Sequence, residues 1–404
     1  MTPKDEMICA DVHERVNDKF FDWLLTSKLA QTEDLFDGLL TEDESDSQIA
    51  FDACSRKPTQ RLLLEVEKEG EIRRAEIRRR EHELKGIGRQ LLSKKMRDHM
   101  VRETGNFSYV KRELLRLNPA YVDIIQEISS PIGSIKRLSG MLPADKELSD
   151  NLLRLVNNPE FCRAIKRPSK KVTDVAAACG LIGMDGLRFL VPGIFLKNRL
   201  RIECPHFPLL GQKIWSYYVT SSNAARRLMI PHSGDSRDEL TMMATGSILC
   251  MGMAALHNQF DYSFEKAKRE LLEELRQKKK VVLYQAVLDI TPSGSIMRKL
   301  FKENAMDIVE NIVYQLDWGH KGKIRQAVMD QVIDTHYDER SHHGVFVGQG
   351  TTYAMWFLLK NANLLKDNPK LEKRVMYHSR LSMERAGELK EHSVNKLVLG
   401  EYIG

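Results

Sequence analysis

Residues 148–191 read LSDNLLRLVNNPEFCRAIKRPSKKVTDVAAACGLIGMDGLRFLV, and this stretch decides the fold. It predicts a short helix that ends at the Asn-Asn-Pro of residues 157–159, followed by a basic loop. Two further helices then meet at residues 180–183, where glycines permit a turn. An alanine, three residues, a glycine and an apolar residue form the turn pattern of a helix-turn-helix, so DNA binding is the first hypothesis.

The second helix of this pair argues against DNA binding. A recognition helix needs several polar or basic side chains on one face to read base edges. Residues 184–191 read MDGLRFLV, with Arg188 as the only basic residue and Pro192 directly after them. This composition predicts a buried helix, and a nucleic-acid partner is therefore not expected.

The chain from residue 106 onward reads as one helix after another. No hairpin turn joins a pair of alternating strands, and 7% aromatic residues with 17 methionines suit helical cores. The stretch at residues 281–290, VVLYQAVLDI, is β-branched enough for a strand but has no partner strand. We expect Thr173 to cap the helix of residues 174–179 and Gly180 to end it. The predicted fold class is all-α.

The first 105 residues form a predicted charged helical region of their own. Residues 1–55 are acidic and contain one amphipathic stretch at 16–29, and residues 59–102 read as one long charged helix with favourable Glu–Arg and Glu–Lys pairs four residues apart. Its apolar stripe is thin, which leaves two interpretations open: a solvated spacer helix, or a helix through which the protein self-associates.

The charge is unevenly distributed along the chain. The net charge of +6 is small for a protein with 29% charged residues, and it is not that of a nucleic-acid-binding tail. Residues 1–55 carry −10, residues 56–105 carry +6 and the remainder carries +10. Opposite signs lead to the hypothesis that the acidic head folds back onto the basic helical module and masks it.

Composition also predicts a cytoplasmic protein. No stretch reaches the roughly 20 apolar residues of a membrane span, and the apolar run at 242–256 reads as a buried helix. The N-terminus has acidic residues where a signal peptide needs an apolar segment. Six cysteines lie far apart without a C-x-x-C pair, which is typical of reduced thiols.

Two segments, LLRLVNNPEF at residues 152–161 and VTDVAAACGLIGMDGLRFLV at 172–191, resemble the HDOD domain of bacterial signalling proteins. That domain is a divergent relative of the HD and HD-GYP phosphohydrolases. The similarity continues through KIWSYYVTSSNAARRL at 213–228 and TGSILCMGMAAL at 245–256, and it covers roughly residues 106–314. The residues that carry the family signature, expected to be structural, are Leu153, Arg154, Asn157, Pro159, Gly183 and Arg188.

The resemblance implies a multi-helix HDOD/HD-like bundle over residues 106–404, with a C-terminal helical extension, preceded by the 1–105 region. HD enzymes bind divalent metal through a histidine, an adjacent His-Asp pair and a further aspartate. The corresponding positions here are Tyr217, Leu249 and Cys250, and leucine cannot ligate a metal. The resemblance therefore predicts a protein without catalytic residues, metal or cofactor. Its expected role is that of a binding or scaffolding module in signal transduction, with a protein partner.

An alternative from the enzyme class is a metal-dependent phosphohydrolase with a rearranged site. The only cluster of histidines and carboxylates in the sequence is DTHYDERSHHG, residues 334–344, whose candidate ligands are His336, His342 and His343. The plainer interpretation is a polar surface loop, because no helical ligand spacing is visible. The adjoining GVFVGQGTT at residues 344–352 lacks the G-K-[ST] ending of a phosphate-binding loop and is interpreted as a flexible connection.

Two basic clusters, at residues 166–171 and 276–280, leave a weaker third hypothesis open. On this hypothesis the protein is a regulator that binds nucleotides or nucleic acid through these clusters. A solvated surface is the simpler interpretation of each.

Overall fold

The computed structural model describes residues 3–26, 65–130, 132–164, 171–200, 204–234, 236–316, 322–366 and 368–397. Within these ranges every regular element is a helix, which confirms the all-α prediction. The α-helices in chain order are α1 Pro3–Leu25, α2 Glu65–Gly105, α3 Phe107–Tyr109, α4 Tyr121–Ser129, α5 Ile135–Met141, α6 Lys146–Val156, α7 Pro159–Ala164, α8 Val175–Arg199, α9 Leu210–Met229, α10 Ser236–Gln277, α11 Val281–Leu288, α12 Gly294–Gln315, α13 Lys323–Val332, α14 His342–Asn361, α15 Pro369–His378 and α16 Met383–Glu391.

The helices form two compact units. The larger contains the described residues within 1–31, 100–261 and 293–404, and the smaller those within 32–99 and 262–292. Helix α1 thus belongs to the same unit as the helices that follow residue 106. The division at residue 105 into an N-terminal region and an HDOD-like module stays a prediction about separable domains.

Helix α1 begins and ends earlier than the predicted amphipathic stretch. It packs against α9, α12, α14 and α15 and buries Val16, Phe20, Trp23 and Leu24. Its acidic edge forms ion pairs with α12, Asp22 with Arg298 at 3.0 Å and Asp18 with Lys302 at 2.6 Å. The described start of the acidic head is therefore packed within the larger unit. Residues 27–55 lie outside the described ranges.

The two helices predicted to meet at residues 180–183 do so at Gly183, but the predicted cap and the predicted stop are wrong. Asp174, not Thr173, is the N-cap of α8, since its carboxylate accepts a hydrogen bond from the Ala177 amide at 2.8 Å. The chain passes through Gly180 without a break and kinks at Gly183, where φ is 73° and ψ is 167°. Only glycine adopts this backbone conformation readily, so the first helix ends three residues after the stop predicted at Gly180.

The two helices predicted near residues 240–257 and 264–279 are one continuous helix, α10. Helices α8 and α10 contain segments long and apolar enough to span a membrane by length and composition, Val175–Arg199 and Asp238–Gln277. Their most apolar windows are 67% and 100% buried inside the protein, so core packing accounts for their composition.

Two segments without a predicted helix are helical. Residues 281–288 form α11 despite their β-branched composition, because Leu283 and Val287, four residues apart, pack against α2 at Gly88 within the smaller unit. The interpretation of residues 344–352 as a flexible connection is wrong: they lie inside α14. Their glycines permit close approach, since Gly350 faces the backbone of Ser221 and Ala225 on α9.

Candidate functional site

The predicted signature residues of the helical module act mainly on its backbone. The Asn157 side chain forms two hydrogen bonds with the backbone of Val172. Its oxygen accepts from the Val172 amide and its nitrogen donates to the Val172 carbonyl, both at 2.8 Å. Pro159 opens α7, where its missing amide costs nothing. Half-buried Leu153 and exposed Arg154 line an open cleft of about 710 Å³ beside Asn157.

Arg188 is buried in the larger unit and holds the end of α4. Its guanidinium donates to the carbonyls of Ile128 at 2.6 Å and Ser130 at 3.1 Å and pairs with the Asp185 carboxylate at 2.5 Å. This confirms that the only base of the 184–191 helix faces the protein interior. It is engaged by protein groups and does not present itself to nucleic acid.

The three positions expected to replace an HD metal centre lie close together. Tyr217 is on α9, and Leu249 and Cys250 are on α10. The Cys250 thiol is near enough to Tyr217 and Tyr218 to influence the pKa of both phenols. Gly246 allows this proximity, because a Cβ there would collide with Ser222 of α9. We call Tyr217, Tyr218, Leu249 and Cys250 the replaced centre.

Most of the replaced centre is buried: Tyr218, Leu249 and Cys250 lie in the core, and Tyr217 is half-buried. Cys250 is 1% exposed, and burial raises the pKa of its thiol, while burial also raises the pKa of the Tyr217 phenol. Burial thus disfavours the ionised thiolate and phenolate, the forms that bind a metal ion. Leu249 offers no donor atom at all. These residues do not fit a divalent metal ion.

Helix α1 covers the replaced centre. The Phe20 ring packs on the Tyr217 ring with centroids 4.7 Å apart. Beside it, the buried ammonium of Lys213 on α9 donates to the carbonyls of Trp23 at 2.5 Å and Thr26 at 2.8 Å. A lysine at this place neutralises the negative end of the α1 dipole. Burial lowers the pKa of Lys213 to about 8.

The histidines of the alternative hypothesis do not meet. The His336 side chain is 65% exposed, and its Nδ1 lies 3.5 Å from Oδ2 of Asp338. His342 and His343 begin α14 with ring centroids 6.0 Å apart, in edge-to-face orientation. His343 is buried, and burial lowers its pKa to about 4. Across the described residues no group of three or more His, Cys, Asp or Glu side chains is placed to hold a metal ion.

The predicted basic clusters are only partly described. Lys171 is exposed and lines the cleft beside Asn157, whereas residues 165–170 lie outside the described ranges. Residues 276–280 end α10 and are exposed throughout, in agreement with a solvated surface.

Sequence reasoning missed three polar residues of the module's interior. Lys213 binds the end of α1, and Arg199 donates to the carbonyls of Leu115 at 2.8 Å and Arg116 at 2.9 Å. Asn198 pairs with Asn151 across α6 and α8 at 2.8 Å. No local pattern marks these polar side chains for burial, because their hydrogen-bond partners are distant in the sequence.

Comparison with protein families gives a match to one of them. Residues 114–292 match the HDOD domain. This range contains the signature residues and the replaced centre. No curated protein and no solved structure matches the chain.

Proposed function

Since the chain carries an HDOD domain at residues 114–292, we propose that it is a non-catalytic regulatory protein whose domain binds or scaffolds a protein partner in signal transduction. The replaced centre is the observation that carries this proposal. HD chemistry needs imidazole and carboxylate groups that converge on a metal-activated water. At the corresponding positions stand the Tyr217 phenol, Leu249 and the buried Cys250 thiol, and Phe20 of α1 packs on Tyr217.

The preserved framework supports a binding role. Asn157, Gly183 and Arg188 keep the signature segments in a defined shape by hydrogen bonds and a required backbone conformation. A domain that keeps its shape without its metal ligands retains the means to recognise another molecule. We extend the proposal to the cytoplasm of a bacterium; the five described cysteines are all free and buried, which suits a reducing compartment.

A screen for phosphohydrolase activity tests the proposal. The purified full-length protein is incubated with phosphate monoesters, phosphodiesters and cyclic dinucleotides, with added Mn²⁺, Mg²⁺ or Fe²⁺. We expect no metal-stimulated turnover. Turnover that depends on metal contradicts the proposal, and its loss in a His342→Ala/His343→Ala variant would assign it to the rearranged site.

A further inference from the structure

A second cleft of the HDOD domain lies where α6, α8 and α9 meet, away from the signature cleft. Its volume is about 610 Å³, within the range of sites for small organic molecules, roughly 300–1,000 Å³. The described residues that line it are Asn151, Ile194, Lys197, Asn198, Leu200, Gly211, Gln212 and Trp215. None of them is acidic, and one, Lys197, is a cation.

The N-terminus of α9 opens onto this cleft. The first amides of a helix have no acceptor within the helix and carry a partial positive charge. Leu209, the N-cap residue of this 20-residue helix, has no side-chain oxygen that would accept from them. Gly211 and Gln212, in the first turn, line the cleft, so a ligand anion there would meet the positive end of the helix.

Asn198 provides an independent sign of a ligand. It is 9% exposed, and its side-chain oxygen already accepts from Asn151. Its side-chain nitrogen finds no acceptor among the described residues. A buried donor without an acceptor is unfavourable, and a ligand oxygen in the cleft could accept from it.

The remaining walls divide the cleft into a charged and an apolar part. The Lys197 ammonium lies 5.4 Å from the centre of the Trp215 ring, and both residues line the cleft. Ile194 and Leu200 continue the apolar wall beside that ring. A bare phosphate ion would leave most of this volume empty, whereas an organic body would fill it.

We propose that this cleft binds a small organic anion, with its phosphate or carboxylate group at the N-terminus of α9 between Lys197 and Asn198 and its apolar body against Trp215. The inference goes beyond the proposed function, because the cleft is separate from the replaced centre and needs no catalysis. It makes the HDOD domain a receptor for a metabolite.

Calorimetric titration and tryptophan fluorescence of the full-length protein test the proposal. The probes are adenosine 5′-monophosphate for an organic phosphate, benzoate for an organic carboxylate, and inorganic phosphate for the anion alone; adenosine is the uncharged control. We expect at least one organic anion to bind more tightly than inorganic phosphate and adenosine. No saturable binding of either organic anion up to about 10 mM, the weak end of specific affinity, overturns the proposal.

Variants locate the binding. Lys197→Met and Asn198→Asp should each weaken binding of the responding probe at least about tenfold, while Lys136→Met, at an exposed lysine outside the cleft, should leave it unchanged. Trp215→Phe should retain calorimetric binding and lose the fluorescence response. Circular dichroism verifies that each variant is folded. Equal binding by Lys197→Met and the unaltered protein would contradict the assignment.

Discussion

At the scale of single residues, the module is held by buried polar side chains that act on backbone carbonyls. Arg188 donates hydrogen bonds to carbonyls at the end of α4, and Arg199 donates to carbonyls in the segment before α4. Lys213 donates to carbonyls at the end of α1. Each lies in the interior, where a carbonyl without a donor is costly. The sequence suggested burial of Arg188 from its apolar neighbours. It could not reveal which carbonyls the guanidinium contacts, since those lie about 60 residues earlier.

Two signature arginines offer a matched comparison. Replacing Arg188 by methionine should lower the unfolding free energy by about 2–4 kcal/mol, because two carbonyls lose their donor. The same substitution at exposed Arg154 should change it by less than about 0.5 kcal/mol. Urea unfolding measures both. Equal effects would show that Arg188 does not hold α4.

His13 of α1 gives stability a pH dependence. Burial lowers its pKa to about 3, and its ring stacks on His378 of α15 at 4.2 Å, with Arg340 and the Thr352 hydroxyl as further neighbours. Between about pH 3 and the ordinary histidine pKa near 6.5, His13 is protonated in the unfolded chain and neutral in the folded protein. This contribution to stability is therefore present above pH 6.5 and is lost as the pH falls.

Thermal unfolding at pH 7.5 and 5.5 measures this effect. His13→Gln should reduce the fall in melting temperature between the two pH values. His82→Gln, at an exposed histidine of α2, should not change it. If both variants behave like the unaltered protein, another group accounts for the acid sensitivity.

At the scale of elements, backbone conformation explains where prediction succeeded and failed. Helical periodicity predicted most helices of the HDOD domain and a junction within residues 180–183, but of the two glycines there Gly180 was wrongly assigned as the end of a helix. Gly180 lies in regular helix, with open space where a Cβ would stand. Gly183 makes the turn. Composition does not distinguish them, because the turn's position depends on how the two halves of α8 pack.

Alanine substitutions at these two glycines should act in opposite directions. Gly183→Ala should destabilise by about 1–3 kcal/mol, because its φ and ψ are accessible to glycine almost alone. Gly180→Ala should stabilise by about 0.4–1 kcal/mol, since alanine restricts the unfolded chain and fits the helix. Urea unfolding reports both values. Destabilisation of equal size would contradict the position of the turn.

Helix α2 keeps an exposed apolar stripe that supports self-association as a proposal. The stripe contains Ile77, Leu84 and Leu91 at seven-residue intervals, with Ile87 on the same face; Leu84 is half-buried and the other three are exposed. Gly88 and Leu92 face inward within the smaller unit. Seven-residue spacing is that of a coiled-coil seam. The occupant we propose is the same helix of a second copy.

Sedimentation of the full-length protein tests this seam. Leu91→Asn should weaken the dimer about tenfold or more, because it places an amide in the seam. Gln90→Asn, at the neighbouring exposed position off the stripe, should leave the dimer intact. A monomer in the unaltered protein, or equal association of the two variants, would contradict the proposal.

At the scale of the whole molecule, the sequence predicted the class of the fold and the HDOD domain, and both are confirmed. It did not predict that α1 covers the replaced centre. Apolar spacing shows that one face of α1 is buried but not what buries it. Its partners on α12, α14 and α15 lie between about 270 and 375 residues later. The hypothesis that the acidic head masks a partner surface can now be stated for α1 and the surface of α9, α12, α14 and α15 that it covers.

We propose that this HDOD domain does not hold the metal centre of HD phosphohydrolases. Elemental analysis of the purified full-length protein, after expression in medium supplemented with manganese and iron, tests it most directly. We predict clearly substoichiometric metal, because Tyr217, Leu249 and Cys250 provide no ionised ligand set. About two manganese or iron ions per chain, the complement of a two-metal hydrolase, would contradict the account.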